Sequence, residues 1–219
     1  MRYFTPESFA FLRELRENNN REWFAQNKQR YEREVRDPAL RFISDFGPHL
    51  SRIAPRLVAD PRRSMFRIYR DTRFSRDKSP YKTHVGIHFF HEKSKAAASV
   101  PGFYLHISPG ECFAAAGIWH PDPGSLAKMR QSIAAKSPDW MRIKKSKLPI
   151  EGGSLKRPPR GFAADHPLID DLKRTDFVTS VRLKESDLTS PNFLATFDRA
   201  CKKMTPLVAF VAKSLRLSW

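Results

Sequence analysis

Cysteine is scarce in this sequence, and so are the features of exported and membrane-spanning chains. The 219 residues include only Cys112 and Cys201, without C-x-x-C spacing, so we expect neither a disulfide framework nor a thiolate metal site. No stretch approaches the roughly 20 apolar residues that span a bilayer. Residues 1–15 also lack the apolar run of a signal peptide. These absences predict a cytoplasmic protein that has no membrane contact.

Acidic residues are outnumbered as well. The chain has 23 Asp and Glu against 40 Lys and Arg, which gives a formal net charge of +17. Residues 61–100 alone carry ten Lys and Arg against three Asp and Glu, and residues 141–175 carry nine against four. Such regions attract phosphates, carboxylates or nucleic acid. A solvated basic surface without any partner explains the same composition equally well, because net charge bears on association rather than on fold.

Segments of low hydrophobicity are missing too. Hydrophobic residues make up 40% of the chain and 17 Phe are spread along it, so no part has the composition of a disordered region. A chain of this length buries a sizeable core more readily as one large domain than as two small ones. We therefore predict a single α+β domain over residues 1–219.

The first sixty residues predict a helical layer. Thr5, followed by proline and glutamate, is a typical helix start, and apolar residues then recur every three or four positions over residues 9–53. Asn20 suits the cap of a second helix in this layer. Two later helices are predicted over residues 125–133 and, at the C-terminus, over residues 190–211.

From residue 64 onwards the apolar period changes to two, which is typical of strands. Five such runs occur, at residues 66–69, 84–89, 103–107, 112–119 and 177–183. Their short links favour antiparallel neighbours. We predict a mainly antiparallel sheet of about five strands, with helices packed on one face, an N-terminal helical layer and a C-terminal helix. The segment 144–165, rich in Lys, Arg, Gly and Pro, is predicted to be a surface loop.

The residues between these apolar positions form a polar face. Side chains of Arg, Lys, His and Tyr predominate there: Arg67, Tyr69, Asp71, Arg73, Lys82, His84 and His88, which Tyr104, His106 and Arg182 can join. Guanidinium groups bind anions in a bidentate manner, and His and Tyr can orient a ligand or transfer protons. An ordinary solvated sheet face shows the same alternation, so this pattern alone leaves both interpretations open.

The connection between the first two predicted strands favours a functional site. Residues 70–84, RDTRFSRDKSPYKTH, are polar and rich in turn formers, and loops held on strands often carry function. Asp71 and Asp77 lie among several cations, so we expect them to be ionised partners that orient the Arg and Lys side chains. The residues predicted to contact an anionic ligand are Arg67, Tyr69, Arg70, Asp71, Arg73, Ser75, Asp77, Lys78, Ser79, Tyr81, Lys82, His84 and His106.

Other chemistries find less support in the sequence. Tyr81 and His84 are the candidate proton-transfer residues if the protein is an enzyme. We predict no metal ion, because histidines along one strand are too far apart to share an ion and only cross-strand partners such as His84 with His106 could do so. We predict no other cofactor either. Cys112 with His106 or His120 could form a nucleophilic pair, but its apolar surroundings predict a buried, inert thiol.

Five segments together carry a resemblance to a known family. They are FLRELRENNNREWFAQNKQRYE, FRIYRDTRFSRDKSPYKTHVGIHF, PGFYLHISPG, GIWHP and KRPPRGFAADHPLIDDLKRTDF. In these segments the chain resembles the conserved hypothetical proteins of the family called domain of unknown function 2461, over nearly its whole length. The alanine run 112–116 departs from the glycine expected in similar proteins. The resemblance implies no assigned activity, so it supplies no mechanism.

Three functions remain open at this point. The first is binding of an anionic ligand, either a phosphorylated metabolite or a nucleic-acid backbone, at the polar sheet face and the 70–84 segment. The second is an enzyme that acts there on a phosphorylated or carboxylated small molecule. The third is a module that binds an acidic protein partner. A closed, ligand-sized pocket would favour the enzyme over an open basic groove.

Overall fold

A five-stranded antiparallel sheet, with the strands in sequence order, organises the computed structural model, which describes residues 1–93, 100–146 and 148–219. The strands are β1 Leu57–Val58, β2 Val85–His91, β3 Gly102–Ser108, β4 Glu111–Ile118 and β5 Phe177–Leu183. The predicted α+β class and the antiparallel sheet are therefore confirmed.

Helices precede the sheet, connect β4 with β5 and follow the last strand. They are α1 Pro6–Glu17, α2 Arg21–Gln26, α3 Lys28–Tyr31, a π-helical turn Glu32–Arg36, α4 Asp37–Ile53, α5 Pro123–Ala134, α6 Pro138–Ser146, α7 Ile169–Leu172, α8 Glu185–Leu188 and α9 Phe193–Ser214. The predicted N-terminal helical layer and C-terminal helix are both present. Asn20 caps α2 as expected, because its side chain accepts a hydrogen bond from the Trp23 amide at 2.9 Å. Of the helices in the described part of the chain, none is both long and apolar enough for a bilayer crossing.

One face of the sheet is buried against α9. The register aligns a row of apolar residues across four strands: Ile87, Leu105, Ala114 and Val181. Cys201 and Val208 of α9 belong to the same buried cluster as this row. The alanine side chains of β4 leave room for the helix, since they project least from the sheet. The small-residue run that departs from the family resemblance thus provides the packing surface for α9.

A second buried cluster fixes the C-terminal part of the chain. Trp140 of α6 is fully buried, and its ring lies 4.9 Å from that of Phe210 and 5.8 Å from that of Phe177. Its indole N–H donates to the carboxylate of Asp171 at 3.3 Å. The sequence did not predict α6, whose end overlaps the predicted surface loop. Lys147 lies outside the described residues, and residues 148–165 form no helix or strand.

The first predicted strand, over residues 66–69, is wrong as a regular strand. Residues 64–70 instead form two isolated bridges, Met65 with Ile87 of β2 and Tyr69 with Tyr81, and β1 supplies the regular edge strand. The Phe66 amide donates to the carbonyl of Gly86 at 2.9 Å, but the ladder is interrupted before Ile68. Strict alternation therefore fails: Ile68 is buried in the core, whereas the Phe66 ring packs 6.2 Å from that of Tyr104 on the opposite face.

Replacing Gly117 tests how closely β4 and β5 must approach. A Cβ on Gly117 would lie 1.9 Å from the carbonyl oxygen of Phe177, and its φ is +121°. Gly110 also has a positive φ, +81°, but an added Cβ there meets nothing within 4 Å. We expect Gly117→Ala to lower the free energy of unfolding by roughly 3 kcal/mol or more, because backbone strain and overpacking add. Gly110→Ala should cost only about 1 kcal/mol. Urea denaturation measures both, and equal losses would contradict the close approach.

Candidate functional site

The face of the sheet opposite α9 forms the floor of a cavity of about 1080 Å³, which we call the sheet-face cavity. Its floor consists of small or short residues: Gly102, Ala115, Gly117 and Val178. Its walls are aromatic rings: Phe66, His88, Tyr104, Phe113, Trp119 and His120. Concave and mostly apolar surfaces of this size are typical of small-molecule sites.

The register of β3 and β4 explains the concavity. Gly102 lies opposite Gly117, and Tyr104 lies opposite Ala115. A Cβ on Gly102 would come within 2.7 Å of Nε2 of His88 and even closer to the backbone of β2. The paired glycines of β3 and β4 therefore place no side chain at the centre of the cavity floor, while aromatic rings stand around it. The hollow is a consequence of this distribution of residue sizes.

Few polar groups lie on the rim of the sheet-face cavity. The hydroxyl of Ser180 donates to the carboxylate of Glu151, whose two oxygens are 2.8 and 2.9 Å away. Arg182, two residues further along β5, is exposed and forms no hydrogen bond or ion pair with the described residues. The cavity thus has an unpaired guanidinium beside a hydroxyl that is already engaged.

Two histidines and a tyrosine form a cluster beside these walls. The rings of His84 and His106 are 4.6 Å apart, and His106 stacks on Phe113 at 4.8 Å. The hydroxyl of Tyr104 lies 3.1 Å from Nδ1 of His106. Because burial and the neighbouring His106 and Lys82 disfavour its charged form, the pKa of His84 is lowered to about 4. Burial also lowers the pKa of His106 and raises that of Tyr104 to about 12.

These pKa shifts give protonation states that differ from those of a cationic sheet face. At neutral pH both imidazoles are uncharged and the Tyr104 phenol keeps its proton. The phenol can therefore donate to Nδ1 of His106, a bond that a doubly protonated imidazole could not accept. This group contributes ring surface and neutral hydrogen-bonding atoms to the wall, and no positive charge.

Lys82 lies next to the same wall. Its ammonium donates to the carbonyl of Arg67 at 2.9 Å and lies 5.4 Å from the centroid of the Phe66 ring. Burial, followed by the charge of Arg67, lowers the pKa of Lys82. Lys82 therefore adds a cation behind Phe66, although its ammonium already has partners.

Most charges of the loop satisfy one another. Arg73 makes a bidentate pair with Asp71, at 3.0 and 2.8 Å, and Arg70 pairs with Asp77. Hydrogen bonds from the hydroxyl and amide of Ser79, together with Arg70, lower the pKa of Asp77. A hydrogen bond from Arg73 likewise lowers the pKa of Asp71. The two carboxylates are ionised partners of arginine, as the sequence indicated.

Tyr81 anchors this loop to the N-terminal helical layer. Its ring is buried and stacks on that of Phe24 with 4.1 Å between centroids. The side chain of Asn19 donates to the Tyr81 carbonyl at 2.9 Å and accepts from its amide at 3.1 Å. The sequence makes Tyr81 a candidate for proton transfer, whereas in the structure its side chain packs in the core.

The structure divides the predicted site residues into three groups. Beside the sheet-face cavity lie Lys82, His84 and His106. A second cavity, of about 790 Å³, is lined by Tyr69, Arg70, Lys78, Ser79 and Tyr81, together with Arg21 and neighbouring residues. The remaining residues line neither cavity and lie along the loop or its flanks: Arg67, Asp71, Arg73, Ser75 and Asp77. Arg73 is therefore separated from the histidines with which the sequence grouped it.

Sequence reasoning missed a histidine and aspartate pair on the rim of the sheet-face cavity. Nδ1 of His120 lies 3.0 Å from a carboxylate oxygen of Asp176. Only the register could have revealed it, because the pairing of Ile118 with Phe177 brings the residues that follow β4 close to those that precede β5.

The described residues offer no geometry suited to a thiol nucleophile at Cys112 or to a metal ion held by histidines. Cys112 lies on the buried side of the sheet, where its thiol donates to the carbonyl of Ser108 at 3.3 Å and burial raises its pKa. Nowhere in residues 1–93, 100–146 and 148–219 do three or more His, Cys, Asp or Glu residues form a group that could hold a metal ion.

The family assignment rests on comparison with family models. A model described as "Conserved hypothetical protein (DUF2461)" matches residues 7–210, so the chain belongs to this family and the resemblance of its sequence segments is confirmed. No curated protein matched the chain. Since the family's description names no activity, any functional conclusion depends on the geometry of the site.

Asn19 offers a test of the loop anchor. Asn19→Ala leaves the backbone amide and carbonyl of Tyr81 without their partners, so we expect a loss of about 1–3 kcal/mol in the free energy of unfolding. Hydrogen exchange of the Tyr81 amide should accelerate. Asn18→Ala is the matched control, because the side chain of Asn18, the residue that caps the end of α1, donates to the Glu14 carbonyl of that helix and not to the loop. Equal exchange rates at Tyr81 in the two variants would show that Asn19 does not hold the loop.

His84 should make stability depend on pH. Its pKa is lowered from 6.5 to about 4 in the folded protein, so the unfolded chain binds the proton first and stability falls as pH falls through this window. We expect His84→Gln to show a shallower loss of urea resistance between about pH 7 and about pH 5. His166→Gln serves as the control. An unchanged pH dependence in His84→Gln would refute the half-buried, neutral imidazole.

Proposed function

We propose that this member of the family binds a small molecule with an aromatic or apolar body and one anionic group in the sheet-face cavity. The observation that carries the proposal is a hollow of about 1080 Å³ with mostly apolar walls and, on its rim, a cation, Arg182, that pairs with none of the described residues. Such a combination suits a ligand whose body fills the hollow and whose charge fixes its orientation.

The position of Arg182 supports a carboxylate or phosphate as the anionic group. A guanidinium binds either one through two parallel hydrogen bonds. Glu151 lies on the same rim and accepts the hydroxyl hydrogen of Ser180. Because a second negative charge near Glu151 would be repelled, a ligand with one anionic group fits better than a chain of phosphates.

The pairing of charges in the loop argues in the same direction. A nucleic-acid backbone is bound by several cations that neutralise successive phosphates. Arg70 and Arg73 are already bonded to Asp77 and Asp71, and the nearby imidazoles are neutral. These contacts favour a small molecule over a nucleic-acid backbone or an acidic protein surface at the 70–84 segment.

The segment 70–84 then contributes to binding mainly through its C-terminal end. Lys82 lies against Phe66, and the ring of His84 packs 4.6 Å from that of His106, so both support the aromatic walls of the cavity. We propose that they shape the site and strengthen its positive potential near the ligand. The internal ion pairs of the loop hold this end in place.

Benzoate and its neutral analogue benzamide provide a test. Arg182→Ala should weaken benzoate binding about tenfold or more, because a hydrogen-bonded charge partner is lost. Benzamide binding should change little. The affinities can be measured by chemical-shift titration, with resonances of Tyr104 and Phe113 as reporters. Arg199→Ala is the matched control, since Arg199 is exposed on α9 and bonds to Thr196. Benzoate binding of equal strength in wild type and Arg182→Ala would contradict the proposal.

A further inference from the structure

A histidine on the rim of the sheet-face cavity is held by a buried carboxylate. One oxygen of Asp176 accepts the backbone amide hydrogen of His120 at 2.8 Å and lies 3.0 Å from its Nδ1. Asp176 is only 2% exposed, whereas the side chain of His120 is 70% exposed and lines the cavity. The carboxylate is thus inside the protein and the imidazole at the surface of the hollow.

Asp176 is itself fixed from the other side. Its second oxygen accepts the amide hydrogen of Gly153 at 2.9 Å and the hydroxyl hydrogen of Thr175 at 3.0 Å. Although burial acts to raise it, hydrogen bonds from the backbone of His120 and Gly153 lower the pKa of Asp176 overall. A Cβ on Gly152, where φ is +110°, would lie 2.4 Å from the Asp176 side chain. Glycine is therefore required for the 152–153 backbone to approach the carboxylate.

The backbone at His120 is in an unusual conformation. Its φ is +48°, in the left-handed region that residues other than glycine seldom adopt. Its ring lies 4.4 Å from that of Trp119, a tryptophan that is 56% exposed. Unfavourable backbone conformations persist where the surroundings impose them, and they cluster at functional sites. Here the bonds from Asp176 impose the conformation that places the imidazole on the rim.

From this arrangement we propose that His120 accepts a proton from a ligand in the sheet-face cavity, with Asp176 as its positioning residue. The inference rests on the proposed function, since the ligand occupies the same cavity. Because Asp176 contacts Nδ1, that nitrogen carries the hydrogen and Nε2 takes the incoming proton. The ligand's bond to hydrogen breaks, its electron pair stays on the ligand, and the imidazolium forms beside the carboxylate. Carboxylates orient catalytic histidines in this way in general base catalysis.

The other candidates for proton transfer fit the cavity less well. Tyr81 is buried against Phe24, and His84 packs against His106 without lining the cavity. A purely structural role for Asp176, joining the end of β4 to the 152–153 segment, explains its backbone bonds. It does not explain the contact with Nδ1. A test must therefore report on the state of the imidazole as well as on the fold.

The first measurement is the tautomer of His120, read from nitrogen shifts of isotope-labelled histidine. The His120 signals are identified by their loss in His120→Asn, a variant that tolerates a left-handed backbone. We expect the Nδ1–H tautomer in the wild type and its loss in Asp176→Ala. Wild-type protein with the Nε2–H tautomer would overturn the inference, and it does so whether or not the Asp176 variant folds.

The second measurement uses p-nitrophenyl acetate as a probe of the Nε2 lone pair. Nε2 attacks the ester carbonyl carbon, the bond to p-nitrophenolate breaks, and water then splits the acetylimidazole into acetate and histidine. We expect p-nitrophenolate release to fall about tenfold in His120→Asn and to remain unchanged in the control His166→Asn. Equal rates in the wild type and His120→Asn would overturn the inference.

The two proposals can fail separately. Because p-nitrophenyl acetate carries no anionic group, its reaction reports on His120 without requiring a ligand anion. Benzoate binding without His120-dependent release would overturn proton transfer and leave ligand binding in place. Release that depends on His120, in a protein that does not bind benzoate, would support the reactive imidazole and refute the proposed anionic ligand.

Discussion

The close pairing of β3 with β4 and of β4 with β5, through residues that lack large side chains, is the constraint on which both faces of the sheet depend. Because alternate residues of a strand face opposite sides, Ala114 and Ala116 meet α9 while Ala115 and Gly117 form the floor of the cavity. A larger side chain at any of these positions would displace either the helix or the space for a ligand. One short run of β4 therefore determines the packing of the core and the volume of the site.

The distribution of charge depends on contacts more than on composition. The most basic part of the sequence contains the 70–84 segment, yet Arg70 and Arg73 are bonded to aspartates there. The guanidinium that lines the cavity without a partner among the described residues is that of Arg182, from a strand that the count of charges did not single out. An excess of positive residues raises the local potential, but a binding site requires a cation whose hydrogen bonds are not already made.

The sequence predicted those parts of the fold that local periodicity controls. Alternation identified four of the five strands and placed Tyr104 and His106 on one face, as the register confirms. It failed at Phe66, because isolated bridges do not maintain a strict period. It also missed α6, because the sequence of this helix is mostly polar, although burial of Trp140 holds the helix against the core. The pairing of His120 with Asp176 joins residues 56 positions apart, so it depends on the register between β4 and β5, which no local pattern encodes.

Environment assigns different tasks to histidines that the sequence treats alike. His84 and His106 pack together and are desolvated, so they remain neutral and support the wall from behind. His120 stands on the rim, and a buried carboxylate fixes one of its nitrogens. A carboxylate in that position determines which nitrogen of His120 carries the hydrogen, while burial disfavours the charged form of the other two imidazoles. The same residue type therefore supports the wall of the site at two positions and is its proton acceptor at a third, and the difference comes from the contact with Asp176.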